Sequence, residues 1–192
     1  MGNIFIGLLF VFFNLTFNIG AVTINLIPSF AGFILILRGL GELRGKSGFF
    51  EKAQPFSLFM GVFTGILFVA DLLPFYIPGF LSAGTGVICA GVYILILYYI
   101  VIGIKDIERA EGQDFGGGGL YGAWKIQAVF YIAAQLFGMG LLIVPFLWHL
   151  RNIASFISFI AYIIFLVRFY RTKKLYEQYL TNQAADGVYS YE

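Results

Sequence analysis

Charge is what this chain has least of. Only 11% of its 192 residues are Asp, Glu, Lys or Arg, against about 25% in an ordinary soluble domain. With 12 basic and 10 acidic residues the net charge is +2, so no polyanionic partner is implied and nucleic acid is excluded. Chemistry-bearing side chains are equally scarce. The single cysteine, Cys89, cannot form an internal disulfide and reads as a small core residue. One histidine, one cysteine and one carboxylate inside an apolar run (Asp71) make no metal-ligand set and no acid–base pair. No G-x-S-x-G occurs, and His149 has no nucleophile at a recognisable spacing. The chain therefore reads as a non-enzyme without cofactor or metal.

What remains is hydrophobic. Apolar residues make up 60% of the chain and the mean hydropathy is +0.88. A chain this short could not hide that surface in a core of its own, whereas a bilayer solvates it. Segments approaching the roughly 20 residues of a crossing helix fall at about 4–24, 28–44, 56–74, 81–104, 125–148 and 152–170. Asn25 and Pro28 divide the first long apolar stretch, Asn25 in a turn and Pro28 in the first turn of a new helix. A re-entrant pair is the alternative there. The N-terminus lacks the basic flank and cleavage site of a secretory signal and reads as a retained span. Ile6 stands where N-myristoylation of Gly2 would want Ser or Thr.

Basic residues cluster between the spans: Arg38, Arg44, Lys46 and Lys52; Lys105, Arg109 and Lys125; Arg168, Arg171, Lys173 and Lys174. Six crossings put all three clusters on one side, with only Arg151 opposite, and cytoplasmic loops concentrate Lys and Arg. The expected fold is thus an all-α integral membrane bundle of about six transmembrane helices in the cell membrane, both termini cytoplasmic. Residues 1–174 form one polytopic domain and 175–192 a polar tail, frayed and then disordered. The run Gly116–Gly119 reads as a flexible linker. Gly117, Gly119 and Gly122 fit G-x-G-x-x-G only formally, because no strand precedes them and Ala123-Trp124 replaces the Walker pair.

Polar groups inside the spans are the candidate site residues, since each must find a partner there. A continuous first helix would bring Asn3, Gly7, Asn14, Asn18 and Asn25 within an arc of roughly 60°. That seam is either a cavity wall or a set of interhelical hydrogen bonds. Asp71 lies at the same depth as His149 and Arg151, so a bridge from Asp71 to Arg151 is permissible; simple solvation is the alternative. The ligand-binding candidates are accordingly Asn14, Asn18, Asn25, Asp71, His149 and Arg151. Gly61 and Gly65, and Ser82, Gly86 and Ala90, form small-residue packing faces.

The stretch Ile24-Asn25-Leu26-Ile27-Pro28-Ser29-Phe30-Ala31-Gly32-Phe33 resembles a turn in small bacterial multi-pass membrane proteins of no assigned activity. There, Ile-Asp-Leu-Leu-Pro-Asp-Phe-Ile-Gly-Tyr joins the first two spans; Ser29 replaces the acidic residue after proline. The resemblance covers the first quarter of the chain and implies a bacterial membrane protein. The leading functional expectation is an accessory or scaffold protein, with the bilayer, another membrane protein or a second copy of itself as partners. The alternative is a membrane-embedded small-molecule binding or transport subunit that uses the outer polar residues.

Overall fold

The computed structural model describes residues 1–12, 16–19, 22–25, 28–71, 79–140, 144 and 146–189, with side chains described over 1–12, 28–70, 84–138, 140, 144 and 146–185. Among these the chain forms α1 (Gly2–Phe12), β1 (Thr16–Ile19), β2 (Val22–Asn25), α2 (Ser29–Glu42), α3 (Gly48–Asp71), α4 (Gly79–Glu111), α5 (Gly117–Gly140) and α6 (Leu147–Tyr189). Each helix packs on the next, and α6 returns to α1, so the six close into a ring. Three stretches are long and apolar enough to cross a membrane: Gly48–Ala70, Gly84–Glu111 and Leu147–Ala185. Their outward faces carry Leu58, Val62 and Ile66, then Ile88, then Phe156, Ile160 and Val167, all exposed. Hydrocarbon solvates such faces and water does not.

The ring is filled toward the end where α2 stops and α5 starts. Ile96, Leu97, Ile100 and Ile104 of α4 are fully buried there, against Ile36 and Leu40 of α2, Phe50 of α3, and Phe165 and Phe169 of α6. Glycine sets the closest crossing. A Cβ on Gly7 would lie 2.6 Å from the Gly32 carbonyl oxygen, and one on Gly39 would lie 2.6 Å from the Ile4 nitrogen. Backbone meets backbone between α1 and α2, the close approach that small residues permit in membranes.

Polar links fasten the same end. The Met1 amino group is 3.8 Å from Glu42, Lys46 is 3.9 Å from Glu111, and Ser47 donates to Asp106 at 2.7 Å. Asn3 donates to the other oxygen of Glu42. Glu108 accepts from the amides of Phe115 at 2.8 Å and Gly117 at 2.6 Å. A carboxylate thereby caps α5 where backbone N–H groups lack helical partners.

Two expectations are corrected. The first span is not one helix over 4–24. α1 ends at Phe12, and β1 pairs antiparallel with β2, Thr16 opposite Asn25 and Asn18 opposite Thr23. The β-branched residues Thr16, Ile19, Val22, Thr23 and Ile24 favour strand over helix. The single-helix polar seam does not form. Second, the glycine run is no linker from Gly117 onward, because Glu108 caps it as the start of α5. Beyond Lys174 the helix continues. α6 runs on to Tyr189, and Phe115 holds Tyr176 and Tyr179 with ring centroids 5.5 Å away, while Tyr179 donates to Glu111 at 2.7 Å.

Candidate functional site

α1 ends at Phe12 and α2 begins at Ser29. At that level the ring borders a partly open cavity of about 410 Å³, to which every helix contributes. Phe12 comes from α1, Ser29 and Phe33 from α2, Met60 and Thr64 from α3, and Cys89 and Tyr93 from α4. From α5 come Gln127, Tyr131 and Gln135, recurring every fourth residue and therefore on one helix face. Ser155, Ser158 and Tyr162 of α6 sit three and four apart by the same logic. The volume suits a small organic molecule, whose pockets span about 300–1,000 Å³. Among the described lining residues none is Asp, Glu, Lys, Arg or His.

Hydrogen bonds fix part of this wall. The Tyr93 and Tyr162 rings lie 6.3 Å apart, and Tyr162 donates to the Leu8 carbonyl oxygen at 3.0 Å. Thr64 donates to the Met60 carbonyl oxygen at 2.6 Å. The Tyr93 ring meets Tyr131 edge-on at 6.0 Å and Phe33 edge-on at 6.3 Å. Gln127 is different. Only 2% of it is exposed, and its Oε1 has no hydrogen-bond partner among the described residues. An unpaired buried acceptor costs about 1–3 kcal/mol. Gln135 lies one helix face along, its Oε1 3.6 Å from where a Cβ on Gly86 would stand.

The residues picked out in sequence fall mostly elsewhere. Asn14 lies outside the described residues. Asn18 and Asn25 stand on the hairpin, and Asp71 closes α3, with side chains outside the described set. The Asp71–Arg151 pair is likewise outside it. His149 and Arg151 occupy the start of α6, both exposed, and neither lines the cavity. His149 meets Trp148 edge-on at 5.0 Å, and Arg151 lies over Gly138, its Nε 3.5 Å from a Cβ built there. Gly61 and Gly65 face Phe33 and Phe30 of α2, whose Cβ atoms are 3.6 and 3.8 Å from theirs when built. Ser82 has its side chain outside the described set, Gly86 adjoins Gln135, and Ala90 is buried.

Sequence reading passed over Gln127, Tyr131 and Gln135. Their signal was available: two carboxamides eight residues apart in an apolar run, with a phenol midway. The rule that drew attention to the asparagines of the first span applies to them equally.

No protein-family model, curated protein or solved structure matches this chain. The functional argument rests on the cavity. Among the described lining residues, no carboxylate or imidazole stands beside the hydroxyls or the Cys89 thiol. Among the described residues, no three His, Cys, Asp or Glu side chains converge as a metal site would require. The arrangement can bind and orient an uncharged molecule.

Proposed function

We propose that this protein is a six-span, non-enzymatic membrane protein that binds an uncharged small molecule in the cavity between its helices. The observation that carries this reading is the cavity of about 410 Å³ to which all six helices contribute, its described lining rich in hydroxyl and amide groups and without a charged side chain. The scaffold reading is weaker, because Gly61 and Gly65, its best packing face, are turned onto α2 inside the ring.

In this proposal the first two crossings are composite. The 11 helical residues of α1 rise about 17 Å, and four strand residues add about 13 Å, together close to the roughly 30 Å of hydrocarbon. Backbone outside a helix is tolerated at that depth where it lines a watery cavity, and the cavity reaches Phe12 and Ser29, the flanks of the hairpin. Both termini are then cytoplasmic, on the side holding eleven of the twelve basic residues.

Cys89 supplies the test, as the sole cysteine and a wall residue. In proteoliposomes, a small uncharged methanethiosulfonate reagent should modify Cys89. Ala134→Trp, which fills the same cavity, should slow that reaction at least about tenfold by removing access to the thiol. A thiol inert to the reagent, or a rate indifferent to Ala134→Trp, would overturn the reading.

A further inference from the structure

At the end of the bundle where α5 starts, two lysines from different helices converge on one ring. The Lys105 Nζ of α4 lies 4.9 Å from the Tyr121 centroid, and the Lys125 Nζ of α5 lies 4.5 Å from it. The ring attracts each cation without neutralising it. The two ammonium groups repel each other, and an anion between them removes that cost. Among the described residues no carboxylate is within ion-pair distance of either lysine. The acids of α4 are engaged elsewhere: Asp106 accepts from Ser47, Glu108 from the Phe115 and Gly117 amides, and Glu111 from Tyr179. Lys173 and Lys174 over Tyr170 differ, because both come from one helix and Lys173 has Glu177 at 3.7 Å.

An apolar surface runs from this pair toward the hairpin end. On α5, Lys125, Val129, Ile132 and Leu136 recur three and four residues apart, and all are exposed. On α4, Gly91, Tyr98 and Lys105 recur every seventh residue, and a Cβ on Gly91 would meet nothing within 4 Å. Trp124 joins the two faces: its Nε1 donates to the Ile94 carbonyl oxygen at 3.2 Å, and its ring lies 5.2 Å from Tyr98 and 5.5 Å from Tyr121. Trp and Tyr of this kind sit at headgroup level, directly below the charges they accompany. We propose that the α4–α5 groove binds an anionic phospholipid, its phosphodiester between Lys105 and Lys125 and its acyl chains along the apolar faces. Lysine meets phosphate as a point charge on a flexible stem, so both ammonium groups can close on one headgroup. Basic pockets between membrane helices hold anionic lipid in this way. A phosphatidylcholine would bring a third ammonium group to the two already there, whereas a phosphatidylglycerol brings none. The inference rests on the membrane placement of these helices and is independent of the cavity.

Trp124 reports on the groove once Trp148, the other tryptophan, is removed by Trp148→Phe. The protein is placed in phosphatidylcholine nanodiscs doped with lipid dibrominated near the glycerol end of its acyl chains. Brominated phosphatidylglycerol should quench Trp124 at a mole fraction about tenfold lower than brominated phosphatidylcholine requires. Lys105→Gln with Lys125→Gln should bring the two lipids within about twofold of each other. Lys52→Gln with Lys174→Gln removes the same charge from α3 and α6, outside the groove, and should keep the preference. Soluble glycerol phosphate, a headgroup without chains, should leave the quenching unchanged. Matching emission spectra in phosphatidylcholine alone verify that the variants are folded. Equal quenching by the two lipids, or a preference that survives the loss of Lys105 and Lys125, would overturn the site. An equal loss of preference in the Lys52 and Lys174 variant would reduce the effect to general surface charge and overturn it too. Reversal of quenching by glycerol phosphate would give the lysines to a soluble phosphate compound and overturn the lipid assignment.

Discussion

The two halves of this bundle are built from the same helices and differ in what those helices turn inward. Toward the chain termini, α4 presents Ile96, Leu97, Ile100 and Ile104, all fully buried, and the Gly7–Gly32–Gly39 crossing brings α1 and α2 into backbone contact. Toward the hairpin, α4 presents Cys89 and Tyr93, and α5 presents Gln127, Tyr131 and Gln135, around about 410 Å³ of cavity. The first half has its polar groups paired at its rim, through Glu42, Asp106, Glu108 and Glu111. Each half keeps one buried polar atom without a partner among the described residues, Ser57 Oγ in the first and Gln127 Oε1 in the second. Close packing supplies rigidity, and the hollow supplies space. The filled half holds the frame on which the hollow half is shaped.

That contrast can be broken most severely at the glycine crossing. Gly39→Val should lower unfolding stability by about 3 kcal/mol, the upper end of overpacking costs, because the added carbons meet the Ile4 backbone. Denaturation in mixed micelles measures it, and a neutral result would show that the filled half is not close-packed. Next comes Tyr162→Phe, which removes the hydroxyl that donates to the Leu8 carbonyl oxygen. Its expected cost is about 2 kcal/mol in the same assay, and no loss would mean that this bond does not brace the cavity. Glu108→Ala removes the cap from α5 and should cost about 1.5 kcal/mol. Faster amide exchange over residues 115–120 would locate the effect, and unchanged exchange there would refute the capping role.

The smallest effect has the opposite sign. Gln127→Leu removes the orphan acceptor and should raise the stability of the ligand-free protein by about 1 kcal/mol. A loss of stability would show that the amide serves packing.

Hydropathy and charge were legible because they are sums over neighbours in sequence. The turn around Pro28, the apolar runs of α3 to α6 and the basic clusters all appear without coordinates. The hairpin was less legible. Thr16–Ile19 and Val22–Asn25 are apolar enough to pass for helix, and only their β-branching distinguishes them. The cap by Glu108 joins residues nine apart around a loop, a pairing that composition hides behind the glycine count. The cavity wall was nearly illegible. Gln127 and Gln135 share a face that periodicity alone can find, yet nothing local says that Tyr93, Thr64 and Ser158 come round to meet it.

By itself, then, the sequence determined the solvent of this protein: too little charge and too many apolar residues to leave helices such as Gly84–Glu111 comfortable in water. It also determined where the positive charge gathers and which chemistries are missing. Tertiary structure alone decided which polar side chains meet. His149 and Arg151 stand exposed at the start of α6, while Gln127, passed over in the linear reading, closes into a shared wall. The physical reason is that solvent preference accumulates residue by residue along a helix. A binding cavity exists only where faces of six helices, far apart in the chain, converge without filling the space between them.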